Sequence, residues 1–337
     1  MLKKKVRLSD IAEQLNVSTV TVSKALANKE GVGNDLRKKI KMLADQMGYS
    51  QKKTAQDDTP AITGNIGILI PSRFFNTNGS YYWLIFNSLS KELLKRNYYS
   101  IMELLSDQDE DNLTIPRMLQ DNKIDGMIIL GQVDSDYIEA INTNYENIIL
   151  VDFYTNNTSF DSVSTDNFYC SYIMTKYVIS QGHKKIRFVG NFNSTTSERD
   201  KFMGFQKAMM EHNIPCDVKE IINDRNSDDS YINIVLPENF QMPTAFICCS
   251  DDSAAALISL LEQKGYKVPD DVSVTGFDNH LANPQGTVPL TTVAISPEDT
   301  ANAAADLIIK KITGQSYIKG RHTVGGSLVI RNSLRKI

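Results

Sequence analysis

From residue 65 onward, eight short apolar runs alternate with stretches of helical periodicity, and that alternation leaves few folds open. The runs are Ile66–Ile70, Ser100–Leu105, Gly126–Leu130, Ile148–Val151, Ile186–Val189, Ala245–Cys249, Val272–Phe277 and Thr291–Ile295. They are too short for buried helices and largely apolar on both faces, as strands are when helices cover a sheet from both sides. The patterns between them predict helices over Tyr82–Arg96, Phe168–Ser180, Asp200–His212, Ser253–Lys264 and Pro297–Thr313. Strands that take turns with helices point to parallel sheets in an α/β body. Ligands of such sheets bind outside the carboxyl ends of the strands, so the residues just after each run matter most.

The first 50 residues lack this alternation and differ in charge. Residues 1–53 hold 12 Lys and Arg against 5 Asp and Glu, a balance of +7; the remainder holds 24 against 35, a balance of −11. A basic head on an acidic body is the footprint of a nucleic-acid reader whose body stays off the polyanion. At 337 residues the chain is too long for one compact core, so two or three domains are expected.

Within the head, Leu8–Leu15 is predicted helical, because Leu8, Ile11, Ala12 and Leu15 recur at helical spacing and Ser9 can cap the start. Asn16-Val17 makes a tight turn, since Asn tolerates positive φ. Ser18 then caps a second helix, Thr19–Ala27, with Val22, Ala25 and Leu26 inward and Thr19, Val20, Thr21, Ser23 and Lys24 outward. A third helix, from Asp35 to Met47, is capped by Asn34, turns Leu36, Ile40, Leu43 and Met47 inward and closes at Gly48. Three short helices crossing at the small Ala12 let the second one enter a major groove. Ser18, Thr21 and Ser23 suit phosphate contacts, and Lys24 reaches a base acceptor such as guanine O6 or N7.

Other chemistries find little support. Cys170, Cys216, Cys248 and Cys249 form no C-x-x-C pair, and the four histidines lack metal-ligand spacing, so reduced core cysteines, no metal and no cofactor are expected. There is no nucleophile elbow, phosphate-binding loop, zinc-protease or dinucleotide motif, and no catalytic residue is assigned; an enzyme is not expected. Met1-Leu2-Lys3-Lys4-Lys5 is basic without an apolar stretch behind it, and no run of about 18 apolar residues occurs. The expectation is a cytoplasmic protein that makes no use of membrane.

Leu8-Ser9-Asp10-Ile11-Ala12, then Val17-Ser18-Thr19-Val20-Thr21-Val22-Ser23-Lys24-Ala25-Leu26, then Gly48-Tyr49 resemble the head of the lac repressor (LacI/GalR) family. The resemblance continues through Ile66–Ile70, Asp125–Ile128, Gly182–Ile186, Pro243–Ala245, Val268–Asn279 and Pro289–Val293, so it spans essentially the whole chain. It implies an α/β protein: an N-terminal three-helix helix-turn-helix head plus a two-lobed, periplasmic-binding-protein-like, doubly wound α/β effector domain. The implied boundaries are 1–50 for the head, 51–63 for a hinge or linker, 64–164 with 295–322 for the N-terminal lobe, and 165–294 with 323–337 for the C-terminal lobe. In that family the first two residues of the recognition helix and a basic residue five further on read bases, which carries over to Thr19, Val20 and Lys24. Thr19 and Val20 offer methyl groups to thymine, and Lys24 stands where many members have Arg, which weakens bidentate reading of guanine. The family linker ends in a Leu that wedges into the minor groove; Ala55 matches its pattern, but Asp58 stands at the wedge. A carboxylate cannot intercalate between bases, so 51–63 is expected to be a flexible linker.

For the body, the resemblance makes the strand ends a ligand pocket: Ser72, Tyr81 and Tyr82 after the first strand, Asp152 after the fourth, Ser197 and Lys201 opening a helix, Ser250 and Asp251 after Cys249, and Asp278 after Phe277. A sugar site needs carboxylates for paired hydroxyls, a cationic donor and an aromatic wall, and Asp278, Lys201 and Tyr82 supply one of each. Many relatives have Arg where Lys201 stands. The loop Ser72–Ser80, with Phe74 and Phe75, is expected to lid the cleft or join a dimer face; Trp83 is expected in the core. The implied partners are a near-palindromic double-stranded DNA operator, a small-molecule effector of sugar type and a second copy of the chain. Two alternatives stay open, a soluble sugar-binding protein and a DNA-binding regulator with a vestigial pocket.

Overall fold

A computed structural model describes residues 8–26, 30–47, 62–75, 81–143, 145–225, 232–237, 240–280 and 288–337. The chain divides into two compact units, Met1–Ala61 and Ile62–Ile337.

The first unit contains helices α1 (Leu8–Gln14), α2 (Thr19–Leu26) and α3 (Asn34–Met47). They close on Ile11, Ala12, Val22, Ala25, Ile40 and Ala44, all buried. Asn16 takes the left-handed conformation (φ 48°), and the Val17 N–H returns to the Ala12 carbonyl at 3.0 Å. The Ser18 hydroxyl accepts from the Thr21 N–H at 3.0 Å and so caps α2. Two expected caps move. Ser9 lies inside α1 and donates to Asp10 at 3.3 Å. Asn34 is already helical, and Gly33 offers the first accepting carbonyl, to the Arg37 N–H at 2.9 Å. Ala27, Gly48-Tyr49 and the linker with Ala55 and Asp58 lie outside the described residues.

The second unit has two lobes. Its first lobe runs β1 (Asn65–Pro71), α4 (Tyr81–Lys95), β2 (Tyr99–Leu105), α5 (Asp107–Asp111), α6 (Arg117–Gln120), β3 (Gly126–Leu130), α7 (Ser135–Asn142), β4 (Ile148–Val151) and β5 (Asp161–Thr165). The chain then crosses to the second lobe: α8 (Asn167–Ser180), β6 (Ile186–Val189), α9 (Thr196–Glu211), β7 (Ala245–Cys248), α10 (Asp251–Gln263), β8 (Ser273–Thr275) and β9 (Thr292–Ile295). It returns for α11 (Pro297–Thr313) and β10 (Arg321–Val324), and crosses a third time into β11 (Gly326–Val329). The first lobe holds a six-stranded sheet in the order β10-β5-β4-β3-β1-β2, parallel throughout. The second holds the parallel order β6-β7-β8, with β9 and β11 paired antiparallel.

Strand alternation decides which helix covers which face. Ile66, Ile68 and Ile70 pack with Ile85 and Leu89 of α4 and Ala304 and Ile308 of α11. Leu69, Met127 and Ile129 point the other way, against Met118, Tyr137 and Ile138 of α6 and α7. In the second lobe Phe188, Ile247, Phe202 and Phe205 form one face, and Phe246, Val274, Leu257 and Leu261 the other. The helices start where short polar side chains accept from the first turn: Thr195 from Glu198, Ser250 from Ser253 and Ser296 from Asp299. The Thr195 cap starts α9 at Thr196, four residues before the expected Asp200. Helices α8 and α9 touch backbone to backbone at Gly204, where an added Cβ would stand 2.1 Å from the Phe168 carbonyl oxygen.

Strands β5, β10 and β11 and helices α5 to α7 had no counterpart in the sequence pattern. Trp83 is half-buried rather than in the core, packed against Phe75 at 5.4 Å and Phe86 at 5.7 Å between ring centroids. No helix among the described residues is long and apolar enough to cross a membrane.

Candidate DNA-reading helix and interlobe cleft

Helix α2 presents Thr19, Val20, Ser23 and Lys24 to solvent, and Val20 is 61% exposed. Such exposure of a branched apolar side chain is costly in water and useful against thymine methyls. Thr21 is half-buried and its hydroxyl is 2.8 Å from that of Ser18, so these two groups steady the first turn of the helix. The outer face therefore combines two methyl-bearing residues, a free hydroxyl at Ser23 and the Lys24 ammonium.

In the body, a cavity of about 810 Å³ opens between the lobes, and Tyr81, Tyr82, Asp152, Ser197, Lys201, Ser250 and Asp278 all line it. Two expected pocket residues do not. Ser72 starts a tight 3-10 turn, Ser72–Phe74, and it is the next two residues, Arg73 and Phe74, that face the cavity. Asp251 is fully buried beneath the floor, accepting from the Thr292 hydroxyl at 2.6 Å, while its N–H donates to the Phe277 carbonyl at 2.8 Å. It ties α10 to β9, and its neighbour Asp252 lines the cavity instead. The segment 76–80 of the expected lid lies outside the described residues; Phe74 stacks on Tyr82 with centroids 5.0 Å apart.

Among the described residues, three cations reach the wall, each beside two carboxylates. The Lys201 ammonium is buried, 2.9 Å from the Cys249 carbonyl oxygen, 3.7 Å from Asp278 Oδ1 and 4.0 Å from the centre of the Phe277 ring. Burial opposes its charge, but Asp278 and Asp152 outweigh this and its pKa lies above the usual lysine value. Asp152 accepts from the Tyr82 hydroxyl at 2.8 Å, and its backbone carbonyl accepts from Ser197 Oγ at 2.5 Å. Burial lifts the Asp152 carboxyl to about 6 against the lowering pull of Lys201. Burial, with Asp152 nearby, also holds the phenols of Tyr81 and Tyr82 well above their ordinary range, so both are neutral donors.

The sequence pattern missed the other two cations. Arg73 donates to Glu110 Oε2 at 2.6 Å, Asp107 Oδ1 at 3.0 Å and the Gln132 carbonyl at 2.7 Å. Arg225 stands 3.5 Å from Glu198 Oε1 and 3.8 Å from Asp224 Oδ1. Arg73 lies two residues past the end of the first strand and could have been flagged by position; Arg225 sits in an irregular stretch with no such signal. Glu198, Asp224 and Cys249 bring donor atoms within 4.8 Å of one another. Their arrangement suits a guanidinium better than a metal. Burial keeps the Cys249 thiol protonated, it donates to Asp224 Oδ2 at 3.2 Å, and Arg225 supplies the positive charge.

The lobes are also latched to each other directly. The Thr196 N–H donates to Gln132 Oε1 at 2.7 Å. Asp200 accepts from the Tyr154 hydroxyl at 2.8 Å and from Arg321 at 2.7 Å, and the Arg321 guanidinium lies 4.0 Å over the Tyr154 ring.

A helix-turn-helix head carried in one chain with a two-lobed, cleft-bearing α/β body defines a class: DNA-binding regulators of transcription with a periplasmic-binding-type domain. The family model described as bacterial regulatory proteins, lacI family, matches residues 7–51, and that of the periplasmic binding protein-like domain matches residues 175–334. The chain belongs to the lacI family of bacterial regulatory proteins. It is 27% identical over 336 residues to the HTH-type transcriptional repressor PurR of Histophilus somni (strain 129Pt), covering 98% of this chain and 99% of that protein. Its fold is similar to that of the transcriptional regulator CelR in complex with cellobiose (TM-score 0.68, 18% identity, 98% of this chain and 100% of that one). It is equally similar to the lac repressor dimer bound to operator and the anti-inducer ONPF (TM-score 0.68, 19% identity, 98% and 100%).

Proposed function

We propose that this protein is a repressor that binds a near-palindromic operator as a homodimer, and that a sugar held in the interlobe cleft sets its operator affinity. The observation that carries the effector half is the convergence of Lys201, Asp278, Asp152 and the Tyr81–Tyr82 wall on one cavity of about 810 Å³. These groups are a buried cationic donor, two carboxylates and two neutral phenols, the set that hydroxyl pairs require. The fold neighbour in complex with cellobiose supports the same reading.

The homodimer follows from the recognition geometry: one helix reads a half-site, and two heads related by a two-fold axis read a palindrome. Strand β2 ends the six-stranded sheet and exposes Tyr99, Met102 and Leu104, while α4 beside it exposes Leu84 and Leu94. An apolar sheet edge of this kind is an aggregation hazard unless a partner covers it, and a second copy is the partner that the operator symmetry demands. The stacked Phe74–Tyr82 pair favours a planar heterocycle as the second reading, because aromatic faces stack on flat rings.

A thermal-shift screen of the purified chain against sugars, sugar phosphates and purines tests the effector. A ligand at 100 times its dissociation constant adds about 2.7 kcal/mol of stability. A sugar hit supports the reading, a purine hit replaces it with the second, and no shift across the panel overturns the sensor.

A further inference from the structure

The charges around the cleft point beyond the general class of effector. We propose that the cleft takes an amine-bearing sugar and rejects phosphorylated ones; this rests on the sugar reading above.

Each cation of the wall already faces two carboxylates. Arg73 has Glu110 and Asp107. Arg225 has Glu198 and Asp224. Lys201 has Asp278 at 3.7 Å, and the Asp152 carboxylate also acts on its charge. Each group of three therefore carries one negative charge in excess when ionised, and all three stand around the same cavity.

A phosphate dianion entering such a site meets donors that are already committed and carboxylates that repel it, in a half-desolvated space where the repulsion is poorly screened. A ligand ammonium has the opposite fate. It can lie against Asp152, whose carboxylate accepts from two uncharged donors, the Tyr82 hydroxyl and Ser197 Oγ, and it restores the balance of the Lys201 group. The Phe74–Tyr82 wall beside it presents π faces that also favour a cation. Burial raises the proton affinity of Asp152, the nearby Asp278 adds to it, and the Lys201 ammonium opposes it without cancelling it.

The test is isothermal titration of the full-length chain at pH 7 and low ionic strength. The probes are matched sets: glucose, galactose and mannose, their 2-amino counterparts, and their 6-phosphates. At least one amino sugar should bind about tenfold more tightly than its parent, with its 6-phosphate the weakest of the three. In Asp152→Asn, whose side chain keeps the shape and tolerates the same backbone conformation, the ratio of amino-sugar to parent affinity, both measured on the variant, should fall to within about threefold. A phosphate that binds best, parity between amino sugar and parent, or an Asp152→Asn variant that keeps the preference would each overturn the inference and leave the sugar reading standing. If no compound of the three sets binds, the sugar reading itself falls.

Discussion

Asp152 and Asp278 hold equivalent places in the two lobes. Each follows a parallel strand, each has a left-handed backbone (φ 70° and 94°), and each donates its N–H to a carbonyl on the neighbouring strand, Val163 and Val293, at 2.9 Å. Left-handed conformation at a non-glycine residue costs of order 1 kcal/mol and persists only where the surroundings impose it. The same turn at two strand ends turns one carboxylate from each lobe toward one cavity.

The Asp152 carboxyl gives the protein a pH signature. Asp152 titrates near 6 in the folded chain, against about 3.9 for an unhindered aspartate. Between these values the native state binds more protons than the unfolded one, so Asp152 makes stability fall as pH rises from 4 to 6. At pH 7 its charged form costs up to about 3 kcal/mol. Asp152→Asn should therefore raise unfolding stability at pH 7 by about 1–3 kcal/mol and flatten the slope between pH 4 and 6. Urea unfolding at pH 4, 6 and 7 checks this; an unchanged midpoint at pH 7 would refute it.

Asp278 has the Lys201 ammonium beside it, and on the proposed reading it is the acceptor for a ligand hydroxyl pair. Asp278→Ala should abolish the ligand-induced thermal shift while ligand-free DNA binding stays as it was. A variant that still responds to the ligand removes Asp278 from the site.

Lys24 is exposed on the outer face of α2. Lys24→Ala should weaken specific binding by about 1–3 kcal/mol and relax discrimination at one base position. Competition binding against random DNA measures this, and equal losses on both DNAs would make Lys24 a phosphate contact.

Gly204 has no room for a methyl group, because its Cβ would overlap the Phe168 carbonyl. Gly204→Ala should cost about 1–3 kcal/mol by prising α8 from α9. Thermal unfolding reads the loss as a lowered midpoint, and an unchanged midpoint would show that the pair can slide apart freely.

The legible part of the fold was the part held by apolar periodicity. Runs such as Gly126–Leu130 and Ile148–Val151 are buried on both faces and match their strands to the residue. Strand β5, Asp161–Thr165, is equally buried but has a single apolar residue. Its Asp161 accepts from Lys311 at 2.9 Å, Tyr317 at 2.9 Å and the Gly320 N–H at 2.8 Å, partners about 150 residues away that no local pattern displays. Strand β10 is half-exposed and held by its pairing with β5, so its sequence carries no hydrophobic signature.

The cleft was legible where side chains follow strand ends and obscure where they come from turns. Tyr82, Asp152, Lys201 and Asp278 could be named from position, whereas the roles of Ser72 and Asp251 depended on a one-residue rotation of the backbone. In both cases the neighbour, Arg73 or Asp252, takes the place in the cavity. Arg225 was invisible because its place is set by Glu198 and Asp224, not by any pattern of its own.

The chain passes between the lobes three times, after Thr165, after Ile295 and after Val324. Three tethers resist sliding and parting of the lobes more than they resist a swing between them. Whatever fills the cleft can therefore be reported only as an angle. The Asp200 clasp with Tyr154 and Arg321, the last of which opens the strand leading into the third tether, acts as a detent on that swing.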